Sequence, residues 1–427
     1  MCVPEVGRLI VWGSCAWVAA WVAVGCSPKV YTVRYHLPPE YAAAANTRPA
    51  SCPGWENYVP DRRFPHHLPM RYLRVNVHIL DNGSGTAHRH PDSARHFARE
   101  LIRLANAALD TNVVNWRSPQ GTAALPKRYR YVLTPQSGRA GDEGVYYHYD
   151  DDLYFFVSRG KNQNNYTRDV IERYAVGGDS IVNIFLLVHH PDSVASPTYK
   201  ADGQGIALGM SVKIAGALER PFGPEASVGL LNHEIGHVLG LSHAWMYDGC
   251  PDTDDHPNKC WEWNPEPPCR DQATNNMMDY NAYQIALTPC QIGKIHALLS
   301  DERAAIRRYL VPTWCSYRPE QTLIISDTVV WKGDRDLSGD LIIAAGGHLR
   351  LSCRLSLPPG GRIVVQPGGV LWLDGCYLHN ACGQMWEGIF VQHNKKDYGQ
   401  VRLLKPPLLS SVRPQPTKQA RRPTAGL

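Results

Sequence analysis

Long apolar runs are almost missing from this sequence of 427 residues; one stretch, Leu9 to Val24, is sustained enough to consider for a membrane. At 16 residues it falls short of the roughly 20 a spanning helix needs. Charge of one sign is equally scarce. The formal net charge is +5, residues 401–427 hold six Lys/Arg and no Asp/Glu, and setting those six aside leaves −1 for the remainder. A nucleic-acid reader needs a basic face on a folded element, so no nucleic-acid partner is expected. Gly203, Gly205 and Gly209 lack the spacing of a dinucleotide loop. With 44% hydrophobic and 19% charged residues the chain is neither a disordered regulator nor a collagen-like rod. It is long enough for about three domains.

Arg8 precedes the apolar run, which ends in Gly25, Cys26 and Ser27. A short apolar core closing on small residues reads as a signal peptide over 1–26. Its end resembles the bacterial lipobox, which implies that Cys26 is lipidated and anchors the chain to a membrane; Ala23 stands where that pattern usually has Leu. A plain secretory signal and a short anchor are the alternatives. All three export the chain, to the bacterial cell envelope, as an outer-membrane or surface lipoprotein, or into the medium. Export permits disulfides. Of 12 cysteines, removing Cys2, Cys15 and Cys26 leaves nine, an odd number, so one sulfur lacks a partner or bonds something else. Cys250, Cys260, Cys269 and Cys290 cluster closely enough for two bridges, whereas Cys52 stands nearly alone.

Residues 27–67, rich in Pro and Ala, read as a linker or pro-segment. Leu73–Ile79 alternates as a half-buried strand does. Asp92 or Ser93 is expected to cap a helix with Phe97, Leu101, Leu104 and Ala108 on one stripe. Strands are expected at 130–133, 145–149, 153–157 and 181–188, with another within 205–214 at a sheet edge. This order predicts an α/β (α+β) sandwich over 68–312. Thr288-Pro289-Cys290-Gln291 is a capping box that opens its last helix. Beyond Pro312, Gly-Gly-x-apolar-x-apolar occurs at 346–351, 360–365 and 368–373. The first and third copies lie 22 residues apart, which predicts a short all-β parallel solenoid over 313–400. A small antiparallel domain is the alternative. Residues 401–427 form a basic, Pro-rich tail.

The chemistry concentrates in His233-Glu234-Ile-Gly-His237-Val-Leu-Gly240-Leu-Ser-His243. Residues four apart share a helix face, so His233 and His237 can hold one ion from adjacent turns. Val228, Leu231, Ile235, Val238 and Leu239 fall in an arc of about 100° nearly opposite the histidines. Gly240 can break the helix and turn His243 back. Three imidazoles leave a fourth position of Zn²⁺ open for water, the mark of a catalytic site. Glu234 stands beside them to take that water's proton. Two surface histidines on a helix are the alternative for the shorter motif, but not for all eleven residues. His88, His90, His96, His189 and His190 lack such support.

The eleven-residue motif resembles that of the metzincin metalloproteases. Asn276-Met277-Met278-Asp279-Tyr280 is similar to the turn that clan places beneath its zinc, with Met278 in the methionine position. The resemblance implies that Tyr280 stabilises the oxyanion. The cysteine-rich stretch after His243, with Gly249-Cys250-Pro-Asp252-Thr-Asp254-Asp255, narrows the resemblance to the pappalysin (cytophagalysin) family, although Asp255-His256-Pro257 departs from its pattern. The likeness covers about residues 70–310 and is specific over 233–280. It implies the pairs Cys250–Cys269 and Cys260–Cys290, with Cys290 beyond the usual fourth position. It also implies Ca²⁺ held by Asp248, Asp252, Asp254 and Asp255, oxygen donors of a suitable kind. Several metzincin families are kept latent by a pro-segment cysteine, a role open to Cys52; an inert thiol or a bridge to Cys353, Cys376 or Cys382 is the alternative. The expectation is an exported zinc endopeptidase acting on proteins or peptides. A zinc peptidase for cell-wall peptides and a surface adhesion or scaffold protein with a residual protease domain are the rivals; intact Glu234 speaks against the last.

Overall fold

A computed structural model describes residues 29–39, 52, 54–136, 140–160, 163–197, 203–219, 223–260, 266–267, 269–270 and 272–414. The signal segment with Cys26, and residues 415–427 of the expected tail, lie outside the described residues; the first part of that expected tail is not tail but carries the strands Gln400–Lys405 and Leu408–Leu409.

Strand β1 (Tyr31–Arg34) comes first, then β2 (Arg71–Asp81) and the helix α1 (Pro91–Asp110). Strands β3 (Tyr129–Leu133), β4 (Val145–Tyr149) and β5 (Phe155–Phe156) precede the short helix α2 (Asp169–Tyr174). Strands β6 (Val182–His189), β7 (Gln204–Ala207) and β8 (Ser211–Ala215) complete a mixed, mostly parallel sheet. β2 pairs in parallel with β3, β4 and β6, and β6 with β8. Every residue of β6 is buried, as expected of a parallel strand covered on both faces. The run expected as one strand within 205–214 is two. Gly209 adopts φ +65°, so the chain reverses and β7 returns antiparallel to β8 as the edge.

Helix α1 starts two or three residues earlier than Asp92 or Ser93 would set it. Pro91 occupies the first helical turn, and the His90 side chain accepts from the Asp92 N–H. Phe97, Leu101, Ala105 and Leu109 of α1 are buried against Val75, Val77 and Ile184 of the sheet. Burying side chains of the size of Phe and Leu contributes about 1.5–3 kcal/mol each. Val170 and Ile171 of α2 cover the opposite face with Leu80, Phe185 and Leu187. Helix α3 (Val228–Val238) packs Leu231 and Ile235 into the same core as α1. Helix α4 (Pro289–Ser300) opens with the capping box read from Thr288 and Gln291.

The second part holds three parallel sheets. β9 (Leu323–Ile325), β10 (Thr328–Trp331) and β11 (Arg335–Asp336) begin them. β12 (Leu341–Ile343), β13 (His348–Leu351) and β14 (Arg354–Ser356) follow, then β15 (Arg362–Val365), β16 (Val370–Asp374) and β17 (Tyr377–His379). β18 (Gly388–His393), β19 (Gln400–Lys405) and β20 (Leu408–Leu409) come last. Each strand pairs in parallel with the third strand on, for example Thr328 with His348 and His348 with Val370. The first and third glycine repeats are therefore neighbours in one sheet, while the second lies in another. β1 pairs antiparallel with β18 and covers that sheet's edge.

The described residues between 52 and 67, expected as linker or pro-segment, are packed between the two parts. Tyr58 is buried, a Cβ on Gly293 of α4 would lie 2.5 Å from the Trp55 carbonyl oxygen, and one on Gly333 would lie 2.6 Å from that of Asn57. Disulfide Cys52–Cys353 ties this segment to the second part, and Cys315–Cys382 joins two residues beyond Pro312.

Candidate metal centre

Helix α3 buries Leu231, Ile235 and Val238 and carries His233 and His237 one turn apart. It ends in a Schellman turn: the Gly240 N–H donates to His237 O, the Leu241 N–H donates to Gly236 O, and Gly240 has φ +84°. That left-handed residue sends the chain back so that His243 rejoins the other two imidazoles. His237 Nε2 lies 3.2 Å from His233 Nε2 and 3.2 Å from His243 Nε2. The His233 and His237 Nδ1 atoms each lie 2.8 Å from a carbonyl, Met277 O and Leu241 O. With Nδ1–H donating there, each Nε2 keeps its lone pair for the common point, the orientation a ligand histidine needs.

The donor set fits zinc. Zn–N bonds of about 2.0–2.1 Å in tetrahedral geometry place ligand nitrogens roughly 3.3–3.4 Å apart, close to the separations seen. Burial, then the neighbouring imidazoles, pushes His233 down to about 3 and His243 down to about 4; burial also lowers His237. All three are therefore neutral donors at ordinary pH. Glu234 is 5% exposed beside them. Burial raises its carboxyl to about 8, opposed by a hydrogen bond from the backbone of Ala207 at the end of β7.

A second segment supports the helix from below. A Cβ on Gly236 would sit 2.3 Å from the Met278 sulfur, so the bare helix face rests on that side chain. The Met278 N–H donates to Asn276 Oδ1, and Asn276 Nδ2 donates to Gln291 of α4. Ala244 N–H donates to Met278 O, which docks the segment carrying His243. The Tyr280 ring lies 4.8 Å from His243 and 5.9 Å from His233. Burial, then the charge of Glu234, raises its phenol, so Tyr280 stays a hydrogen-bond donor.

Other candidate residues are placed differently. The bridges are Cys250–Cys290 and Cys260–Cys269, not Cys250–Cys269 and Cys260–Cys290. The Cys290 N–H at the start of α4 donates to Asp252 Oδ2, which holds this helix end against Cys250 and leaves Cys260 to its near neighbour. Cys52 is bonded to Cys353 and so is no free thiolate for the metal, contrary to the latency role; Cys376 is the free cysteine among the described residues. The four aspartates do not converge into a calcium site. Asp248 Oδ1 accepts from the Cys250 N–H and the Thr253 hydroxyl, Asp252 caps α4, Asp254 pairs with Arg117, and Asp255 is exposed. Asn165, in a glycosylation-type sequence, is buried.

Several contributors to the site escaped sequence reasoning. Met277 and Leu241 act through carbonyls and Ala207 through its backbone, which no side chain announces. Gly205 and Gly236 were open to detection, because a glycine inside a strand or helix signals close approach of another group. A Cβ on Gly205 would lie 2.7 Å from Glu234 Cγ and Oε1. His256, the departure from the family pattern, lies 2.6 Å from buried Asp279.

No family model matches the chain, and no curated protein matches it. Among solved structures it is similar to mature mirolysin of Tannerella forsythia in complex with a cleaved peptide, at 17% identity, covering 56% of this chain and 95% of that one, TM-score 0.37. It is also similar to mirolysin in complex with compound 9 (16% identity, 56% and 96% covered, TM-score 0.39). A third is a Tannerella forsythia promirolysin mutant (17% identity, 56% and 84% covered, TM-score 0.36). At such identity and overlap, function is argued from the chemistry of the site itself.

Proposed function

We propose that the chain is an exported zinc-dependent endopeptidase of the metzincin kind, with a short β-solenoid attached. The observation that carries this is the convergence of three neutral imidazoles beside the buried carboxyl group of Glu234. Zinc, when bound there, would polarise a peptide carbonyl and make water acidic enough to attack it near neutral pH. Glu234 takes the attacking water's proton and passes it to the leaving amine, so protons balance over the cycle. Tyr280 donates to the oxygen on which charge develops, an interaction worth about 3 kcal/mol in favourable cases. Among the described residues β7 is the sheet's edge strand; it ends at Ala207, next to Glu234, and an extended substrate chain can pair with it.

The resemblance over 233–280 supports a pappalysin-type member; the two bridges of the 250–290 region pair otherwise than that resemblance implies and lend it no support. Four disulfides suit an oxidising compartment. The repeat of 20 and then 22 residues between paired strands supports the solenoid reading. Anchoring through Cys26 predicts that labelled fatty acid is incorporated into the chain and that Cys26→Ala abolishes incorporation; undiminished label would remove the anchor.

The deciding experiment uses the full chain with denatured proteins as substrate, with and without a zinc chelator, and maps new N-termini. Glu234→Ala is expected to keep stoichiometric zinc and the fold while cleavage disappears. Full activity in that variant, or no zinc in the parent, would overturn the reading.

A further inference from the structure

A cavity lies where the two parts meet, away from the histidines, and its wall is basic. It holds about 530 Å³ of empty space, partly open to solvent. Tyr72 and Arg128 line it from the first part, and Thr313, Arg318, Gln321 and Ser338 from beyond Pro312. A space of this size is ordinary for a site that takes a small ligand. The carboxylate in the wall, Asp336, is already engaged: Arg71 and Arg307 donate to its Oδ2, and Arg354 donates to its Oδ1. It cannot also neutralise Arg128 and Arg318. Among the described residues neither of those two arginines has an ion pair.

Both arginines are held at the cavity by their surroundings. Arg128 Nε donates to Leu68 O at 2.9 Å, which orients the guanidinium and leaves both Nη groups for another acceptor. Burial lowers the Arg128 pKa, and the group that opposes this is the Tyr72 phenol rather than a carboxylate. The Arg128 backbone adopts φ +59°, a left-handed conformation that is costly for a residue with a side chain and that gathers at ligand sites. Its carbonyl accepts from the Arg71 N–H, where β2 and β3 begin to pair, so the strained residue is fixed by the sheet. Across the cavity the Arg318 backbone is pinned twice. Its N–H donates to Ser338 O at 2.6 Å, and its carbonyl accepts from the Gln321 N–H at 2.9 Å. The Arg318 side chain is exposed and bonds nothing among the described residues.

We propose that this cavity binds a phosphate or sulfate group, free or carried on a small molecule. Two guanidinium groups without a carboxylate call for a doubly charged anion, and their planar forks match a tetrahedral oxyanion. The hydroxyls of Tyr72, Thr313 and Ser338 are further donors in the wall. Because one arginine comes from each part, the bound group joins the two. The site stands independently of the peptidase reading.

The test uses the full chain, with calorimetric titration and thermal unfolding in sodium phosphate, sodium sulfate or glycerol 3-phosphate, against sodium chloride at equal ionic strength. The oxyanions are expected to give saturable heat and to raise Tm by mass action, and chloride to do neither. Tighter binding of the ester than of inorganic phosphate assigns the group to a carried ligand; equal binding assigns it to the free ion, and either upholds the site. Arg318→Gln should weaken binding about tenfold or more, the scale of a lost hydrogen bond to a charged group. Arg128→Gly, which accepts the left-handed backbone and so spares the fold, should weaken it similarly. Phosphate and sulfate also stabilise proteins generally by exclusion from their surfaces, an effect that does not saturate and that both variants would retain. No saturable heat in the parent, or equal binding and an equal rise in Tm in the parent and both variants, overturns the proposal.

Discussion

At the scale of single residues, the centre depends on side chains that are not there. Gly236 lets the helix rest on the Met278 sulfur, and Gly205 lets the edge strand lie against Glu234. Only the second contact touches Glu234, the proposed base. In Gly205→Ala the added methyl would start 2.7 Å from Glu234 Cγ and Oε1, well inside contact distance, so the carboxylate must move. His233 and His237 lie elsewhere on the helix and keep their carbonyl partners, and His243 lies beyond its end. Gly205→Ala is therefore expected to retain zinc at full stoichiometry and to lose activity by up to about 10²-fold, the scale of a 1 Å misplacement. Metal analysis alongside kcat checks this. Equal loss of zinc and activity would show that the glycine serves the fold rather than the base.

At the scale of elements, what the sequence shows is what is local. Helix α4 is announced by its capping box, and the two first histidines by their spacing on α3, because both patterns lie within one or two turns. The reversal between β7 and β8 turns on one glycine at φ +65° and is hidden in a run that reads as a single strand. Disulfide partners are hidden too: Cys290 meets Cys250 because Asp252 caps α4, a contact across 38 residues. His256 ties that cysteine-rich segment to the turn bearing Tyr280, with its Nε2 2.6 Å from Asp279. Burial disfavours the imidazolium, but the Asp279 carboxylate outweighs it and holds His256 above its ordinary 6.5. A raised value in the fold means that the protonated form stabilises the folded state. The contribution is complete below about pH 6.5 and is lost as pH rises through the folded-state value. Denaturant unfolding of the parent and His256→Gln should thus differ most at pH 6 and converge in alkali. A gap independent of pH would assign His256 a packing role.

At the scale of the whole molecule, the two parts meet around one carboxylate. Asp336 of β11 is 2% exposed and receives Arg71 of β2 at 2.7 Å, Arg307 at 2.8 Å and Arg354 of β14 at 2.6 Å. Arg71 and Arg307 come from the first part and Arg354 from the parallel sheets, so neither part completes the cluster alone. Arg354 Nη2 also donates to Ser300 O at the end of α4, and the Arg307 guanidinium lies 4.1 Å from the Trp314 ring centre. Such an arrangement leaves no periodicity in sequence, and the boundary near 312 reads there as a joint between independent units. Burial alone would raise the Asp336 carboxyl, but Arg354, Arg307 and Arg71 hold it well below the usual carboxylate range. A depressed value means that the ionised form stabilises the fold: the contribution is present above the unfolded value of 3.8 and is lost as pH falls below it. Replacing Asp336 by Asn keeps the shape and leaves three guanidinium groups without their shared anion, two of them deeply buried. Breaking a buried pair in this way costs about 3–5 kcal/mol, and here the loss falls on the contact between the two parts. Asp336→Asn should therefore unfold at lower denaturant at pH 7 and show a shallower further loss between pH 4 and pH 2 than the parent, because the group that titrates there is gone. Parallel acid limbs in the two proteins would mean that Asp336 does not carry the charge that joins them.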